Sequence, residues 1–144
     1  MKAYMKTHRG LVREQNEDTI CVAEPLYVLA DGMGGHQAGE VASALAARTL
    51  CETLRDMQPS ADALTRGYLA ANSAVFARQK EDETLSGMGT TMTALWEDQE
   101  YVFVGQIGDS RAYLYRDGKL HQITEDQSMV GEMLRAGAIT EEQA

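Results

Sequence analysis

Residues 29–40 read Leu-Ala-Asp-Gly-Met-Gly-Gly-His-Gln-Ala-Gly-Glu, and the fold turns on how this stretch is read. It completes an apolar run, Leu26-Tyr27-Val28-Leu29-Ala30, whose unbroken character predicts a central strand ending at Asp31. Gly32, Gly34, Gly35 and Gly39 follow. Beyond them Val41, Ala42, Leu45, Ala46, Leu50 and Leu54 recur at helical spacing and predict a helix over 39–57. Such a strand-to-helix turn has two chemical readings, a phosphate cradle or an aspartate that holds a metal. Its structural reading is a glycine turn with a solvated aspartate. The dinucleotide pattern G-x-G-x-x-G fails, because Gln37 stands where the third glycine belongs. A P-loop fails as well, because the turn contains no lysine.

Working outward, residues 3–8 predict a first strand and 9–17 a polar loop. Residues 19–23 predict the strand before Glu24-Pro25. Ser60 is placed to cap a second helix carrying Leu64, Tyr68, Ala71 and Val75 on one face. Threonine-rich 90–97 and then 101–107 predict strands joined at Asp98-Gln99. Asp117-Gly118 predicts a hairpin between 112–116 and 119–124. A last helix is expected over 128–136, closed by Gly137, and Thr140-Glu141-Glu142-Gln143 has the form of a capping box announcing another. Strands cluster as hairpins and helices as a block, so the layout is antiparallel α+β, not a βαβ repeat. The chain reads as one domain, 1–144, truncated at its C-terminus.

A formal charge of −9 on 144 residues argues against nucleic acid or an anionic membrane as partner. No apolar run has transmembrane length and the first residues lack a signal peptide's apolar stretch, so the expected location is the cytoplasm. Cys21 and Cys51 lack CxxC or histidine spacing, which predicts buried thiols rather than a zinc site or disulfide framework. His8 and His121 are read as structural or surface residues, Trp96 and Tyr113 as core.

Asp31 is not alone. Glu17-Asp18 precedes one strand, and Gly108-Asp109-Ser110-Arg111 lies between two later ones. If the strands are neighbours, these carboxylates converge at one rim of the sheet. Clustered carboxylates repel unless protonated or bound to a cation, and hard oxygen ligands select Mg²⁺ or Mn²⁺. Gly32 leaves its carbonyl accessible as a further oxygen ligand. Arg13 supplies a fork matched to two phosphate oxygens. Together these residue types are suited to metal-assisted phosphoester hydrolysis.

Arg13-Glu14-Gln15-Asn16-Glu17-Asp18 resembles the R-x-x-N-E-D signature of the metal-dependent protein phosphatases of the 2C (PPM) family. Asp31-Gly32-Met33-Gly34-Gly35-His36 resembles its bacterial D-G-M-G-G-H, Gly89-Thr90-Thr91 its G-T-T and Gly108-Asp109-Ser110-Arg111 its G-D-S-R. Thr124-Glu125-Asp126-Gln127-Ser128 is similar to T-x-D-H-S, with Gln127 in place of histidine. The resemblance implies an α-β-β-α sandwich of two antiparallel sheets flanked by helices, its C-terminal part missing, with two metals, Mn²⁺ or Mg²⁺, between the sheets. By position it implies that Asp31 bridges the metals and the Gly32 carbonyl binds one. Glu17 and Asp18 act on them directly or through waters, and Asp109 helps bind a third. Arg13 holds the substrate phosphate, and His36 protonates the leaving group. The implied substrates are phosphoserine and phosphothreonine proteins, targets of a bacterial Ser/Thr kinase. The alternative is a non-catalytic relative or fragment that binds only metal or partners. Later family motifs are absent from the 144 residues, so a weakly active chain prone to dimerise or exchange strands is expected.

Overall fold

The computed structural model describes residues 2–35 and 37–127. Their elements run β1 (Asp18–Ala23), β2 (Leu26–Met33), α1 (Ala38–Leu54), α2 (Ala61–Glu81), a 3-10 turn (Glu83–Leu85), β3 (Gly89–Thr90), β4 (Met92–Glu97), β5 (Val102–Ile107), β6 (Tyr113–Arg116) and β7 (Lys119–Gln122). The principal sheet is ordered β1-β2-β4-β5, with β3 pairing the end of β2, and every pairing is antiparallel. β6 and β7 form a separate two-stranded sheet. The α+β layout is therefore the observed one. The expected helix over 128–136, Gly137 and the capping box at Thr140 lie outside the described residues.

The two helices cover one face of the principal sheet. Leu26, Val28 and Ala30 of β2 alternate inward and pack with Ala46, Ala47, Leu50 and Leu54 of α1, Leu64 and Ala71 of α2, and Met92, Ala94 and Trp96 of β4. Small alanines let the α1 backbone approach the strands closely, while Leu50 and Met92 fill the interior. Tyr68 reaches from α2 across the sheet and donates its hydroxyl to the Met92 carbonyl at 3.0 Å. Ser60 caps α2 as expected, accepting from the Ala63 N–H at 3.0 Å. Asp117 and Gly118 take φ of 53° and 76°, the left-handed pair that a two-residue hairpin turn demands.

Four expectations need correction. β2 does not end at Asp31 but continues to Met33, because β3 pairs Gly32 with Thr90 and Met33 with Gly89. The strand expected over 90–97 is divided at Thr91 into β3 and β4, whereas β2 is central in the sheet as expected, with Leu29 exposed on the face away from the helices. Residues 3–8 form no strand. No described strand pairs with them, and a strand without a ladder partner has no reason to persist. Tyr113, read as core, is exposed, since β6 and β7 have no covering layer among the described residues. Trp96, by contrast, is buried.

Candidate active site

Asp18 and Asp31 are register partners across β1 and β2. Directly opposite residues project from the same side of a sheet, so the two carboxyl groups meet and share a hydrogen bond. Partial burial, then this hydrogen bond and the Asp18 charge, hold Asp31 above the ordinary carboxylate range; the Arg13 charge opposes the shift and that of Asp109 adds to it. Asp31 thus senses Arg13, Asp18 and Asp109 together, although Arg13 and Asp109 come from separate loops.

The polypeptide around this pair is pinned by its own polar groups. Asn16 accepts the Asp18 N–H at 3.1 Å and donates its amide to Thr7 Oγ1 at 2.6 Å. The Glu17 carbonyl accepts from the Gly32 N–H at 3.1 Å and from Ser43 Oγ at 2.8 Å, tying the entry of β1 to both β2 and α1. A Cβ on Gly32 would lie 1.9 Å from the Gly39 carbonyl oxygen. One on Gly39 would lie 2.5 Å from Glu17 Oε2. These two glycines therefore permit close packing of backbone and of the Glu17 carboxylate. The Glu17 carboxylate rests against the first turn of α1, where the helix dipole favours negative charge.

Asp109 is exposed in the turn after β5. That turn is coupled to Asp31 through Thr91, the break between β3 and β4. Thr91 Oγ1 accepts the Asp31 N–H at 3.1 Å and bonds Ser110 Oγ at 2.8 Å, while the Thr91 N–H donates to the Asp31 carbonyl at 2.9 Å. Gln106 donates its amide to the Gly108 carbonyl at 3.0 Å and also to the Ser110 carbonyl. The Gln127 N–H donates to the Gly108 carbonyl at 2.8 Å. Because this is a backbone bond, the glutamine side chain is not what makes it. Arg111 grips Asp126 with two bonds of 2.8 and 2.7 Å, which raises the guanidinium's already high pKa.

Arg13, Asn16, Glu17, Asp18 and Asp31 line one cavity of about 200 Å³ together with His8. His8, read as a structural or surface residue, is exposed; its Nδ1 accepts the Gly10 N–H at 2.9 Å, and its place in the cavity depends on how the loop folds back. A larger groove of about 1020 Å³ shares Arg13, Gln15 and Glu17 and extends to Arg78 and Thr84, but includes neither Asp18 nor Asp31. The carboxylate chemistry belongs to the smaller space. His36 lies outside the described residues. Among the described residues no three histidine, cysteine or acidic groups gather into a ready cation cage. The Asp18–Asp31 pair nevertheless fits a hard divalent ion: its donors are all oxygen, and a cation offsets the burial and the mutual repulsion that disfavour the charged form of Asp31. No helix among the described residues is long and apolar enough to cross a membrane.

An antiparallel α+β scaffold that aims a carboxylate pair and an arginine into one cavity defines a class, and comparison with known proteins places the chain in it. The profile of the family described as Protein phosphatase 2C matches residues 9–141, and the chain belongs to that family. It is 45% identical over 142 residues to the serine/threonine protein phosphatase PstP of Mycobacterium tuberculosis, covering 96% of this chain and 27% of PstP. It is 38% identical over 155 residues to the serine/threonine phosphatase stp of Listeria monocytogenes, covering 100% of this chain and 62% of that protein. The chain thus spans less than two thirds of either relative. Among solved structures, the catalytic domain of PstP in complex with two manganese ions superposes with a TM-score of 0.85 at 43% identity, over 96% of this chain and 61% of that one.

Proposed function

We propose that the protein to which this chain belongs hydrolyses phosphoserine and phosphothreonine in proteins, using Mn²⁺ or Mg²⁺ held at the Asp18–Asp31 rim. The observation that carries this reading is the cross-strand pairing of the two aspartates in one cavity with Arg13. The manganese-bound PstP domain and the names of both relatives support it. In this reading Asp31, Asp18, Glu17 and the Gly32 carbonyl would hold two divalent ions, Glu17 and Asp18 directly or through waters, and Asp109 would help hold a third. Bound there, a divalent ion supplies Lewis acidity and makes water a nucleophile at neutral pH. Arg13 holds two oxygens of the phosphoryl group with its planar fork and so fixes phosphorus in line for attack. His36 delivers a proton to the departing serine or threonine oxygen. The activity opposes a Ser/Thr kinase in the cytoplasm, where free thiols such as Cys21 and Cys51 persist.

The test is hydrolysis of a phosphothreonine peptide by the parent protein with Mn²⁺, Mg²⁺ or excess EDTA, beside an Asp31→Asn variant. Activity should need the metal, and the variant should lose turnover by roughly a hundredfold. Undiminished hydrolysis in EDTA would sink the proposal. Mn²⁺ binding without hydrolysis by the parent protein would mark it as a non-catalytic relative.

A further inference from the structure

Cys21 of β1 and Cys51 of α1 are both unpaired in disulfides, yet their Sγ atoms stand 3.1 Å apart. Both pack against the core from the seam between sheet and helix, and both are half-buried. β1 is an outer strand of the principal sheet among the described residues, so the pair lies at the margin of the core. Small oxidants can reach it there. Forming a bond of about 2.05 Å requires the sulfurs to close by only about 1 Å.

We propose that Cys21 and Cys51 form an oxidisable dithiol, a modification site at which hydrogen peroxide converts the pair reversibly into an intramolecular disulfide that staples β1 to α1. The Cys21 sulfur attacks one peroxide oxygen as thiolate. An S–O bond forms, the O–O bond breaks and the expelled oxygen leaves as water with one proton. The Cys51 sulfur then displaces the hydroxyl from the Cys21 sulfenic acid. The S–S bond forms, the S–O bond breaks, and the Cys51 proton departs in a second water. Each sulfur gives up one electron and the peroxide gains two; a dithiol reductant reverses the change. Burial, and then the bond to Cys21, push the Cys51 thiol up to about 12, so Cys51 keeps its proton and acts second. Thiols held in this way react slowly, which sets the expected time at minutes to hours rather than seconds.

The new bond closes a loop that contains Asp31 and the glycine turn, and restricts the unfolded chain more than the folded one. It should therefore raise the unfolding midpoint, by roughly 5 °C or more. The experiment treats the chain with millimolar hydrogen peroxide, alkylates it under denaturing conditions and maps a non-reduced digest by mass spectrometry. Both alkylatable thiols should disappear together, a Cys21–Cys51 linked peptide should appear, and dithiothreitol should restore both. Cys21→Ser and Cys51→Ser should each leave no intramolecular link. Should either variant fail to fold, the wild-type digest and its melting curve decide alone. Retention of both thiols, separate over-oxidation of either cysteine, only intermolecular links, or a linked chain that melts lower would each overturn the proposal.

Discussion

A methyl group at position 32 would stand 1.9 Å from the Gly39 carbonyl oxygen and 2.9 Å from that of Glu17. Both neighbours are backbone and cannot rotate aside, so β2 must part from α1 beside Asp31. Gly32→Ala is expected to cost about 3 kcal/mol of stability in urea unfolding; a cost below about 1 kcal/mol would show that the approach is not tight. Thr91 offers a finer test, because its hydroxyl joins the Asp31 backbone to Ser110 and the turn that carries Asp109. In the parent protein, Thr91→Val should weaken Mn²⁺ affinity roughly tenfold and Thr91→Ser should keep it, the scale expected when a group that orients a ligand is lost. Equal affinity in both variants, by calorimetric titration, would remove Thr91 from the site. Asp18, Asp31 and Arg13 were legible from residue type and motif. Thr91's bond to Asp31 was not, because it joins residues 60 positions apart and depends on how β3 and β4 register against β2. His8 escaped for a similar reason, since loop geometry places it in the cavity.

Elements defined by local chemistry were the readable ones. Ser60 announced α2, Asp117-Gly118 announced the β6–β7 turn, and the apolar stripe from Val41 to Leu54 announced α1. Residues 3–8 and the single strand expected over 90–97 failed because pairing partners decide strands, and partners are not local. Thr91 spends its N–H on the Asp31 carbonyl, which splits that run into β3 and β4. The seam between β1 and α1 carries a pH dependence. The Cys51 thiol ionises near 9.0 when free of its surroundings but near about 12 in the fold, so the folded state keeps a proton that the unfolded state releases. Its stabilisation is full below the free value and is lost as pH rises from about 9 towards about 12. Under reducing conditions the urea midpoint should fall between pH 8 and pH 10.5, and Cys51→Ser should flatten that fall. An identical slope in the variant would assign the alkaline loss to other groups.

For the molecule as a whole, apolar side chains left uncovered shape its behaviour in solution. Leu11, Val12, Tyr115 and Leu120 are exposed, as are Val22 and Leu29 on the sheet face away from the helices. Such surface, with the short β6–β7 ribbon standing apart, favours association of the 144-residue chain with a second copy despite a charge of −9. Sedimentation should show dimer growing with concentration at tens of micromolar; a monomer throughout would refute this. The central claim, that the Asp18–Asp31 rim is the metal centre, is open to one direct measurement on the chain itself. Substoichiometric Mn²⁺ added to the ¹⁵N-labelled chain broadens amide signals around the bound ion. The account predicts that Asp18, Asp31 and Gly32 broaden first, with Asp109 close behind, that β6 and β7 stay sharp, and that Asp31→Asn abolishes the pattern. Broadening centred elsewhere, such as the acidic turn at Asp82 and Glu83, or unchanged in the Asp31→Asn chain, would contradict it.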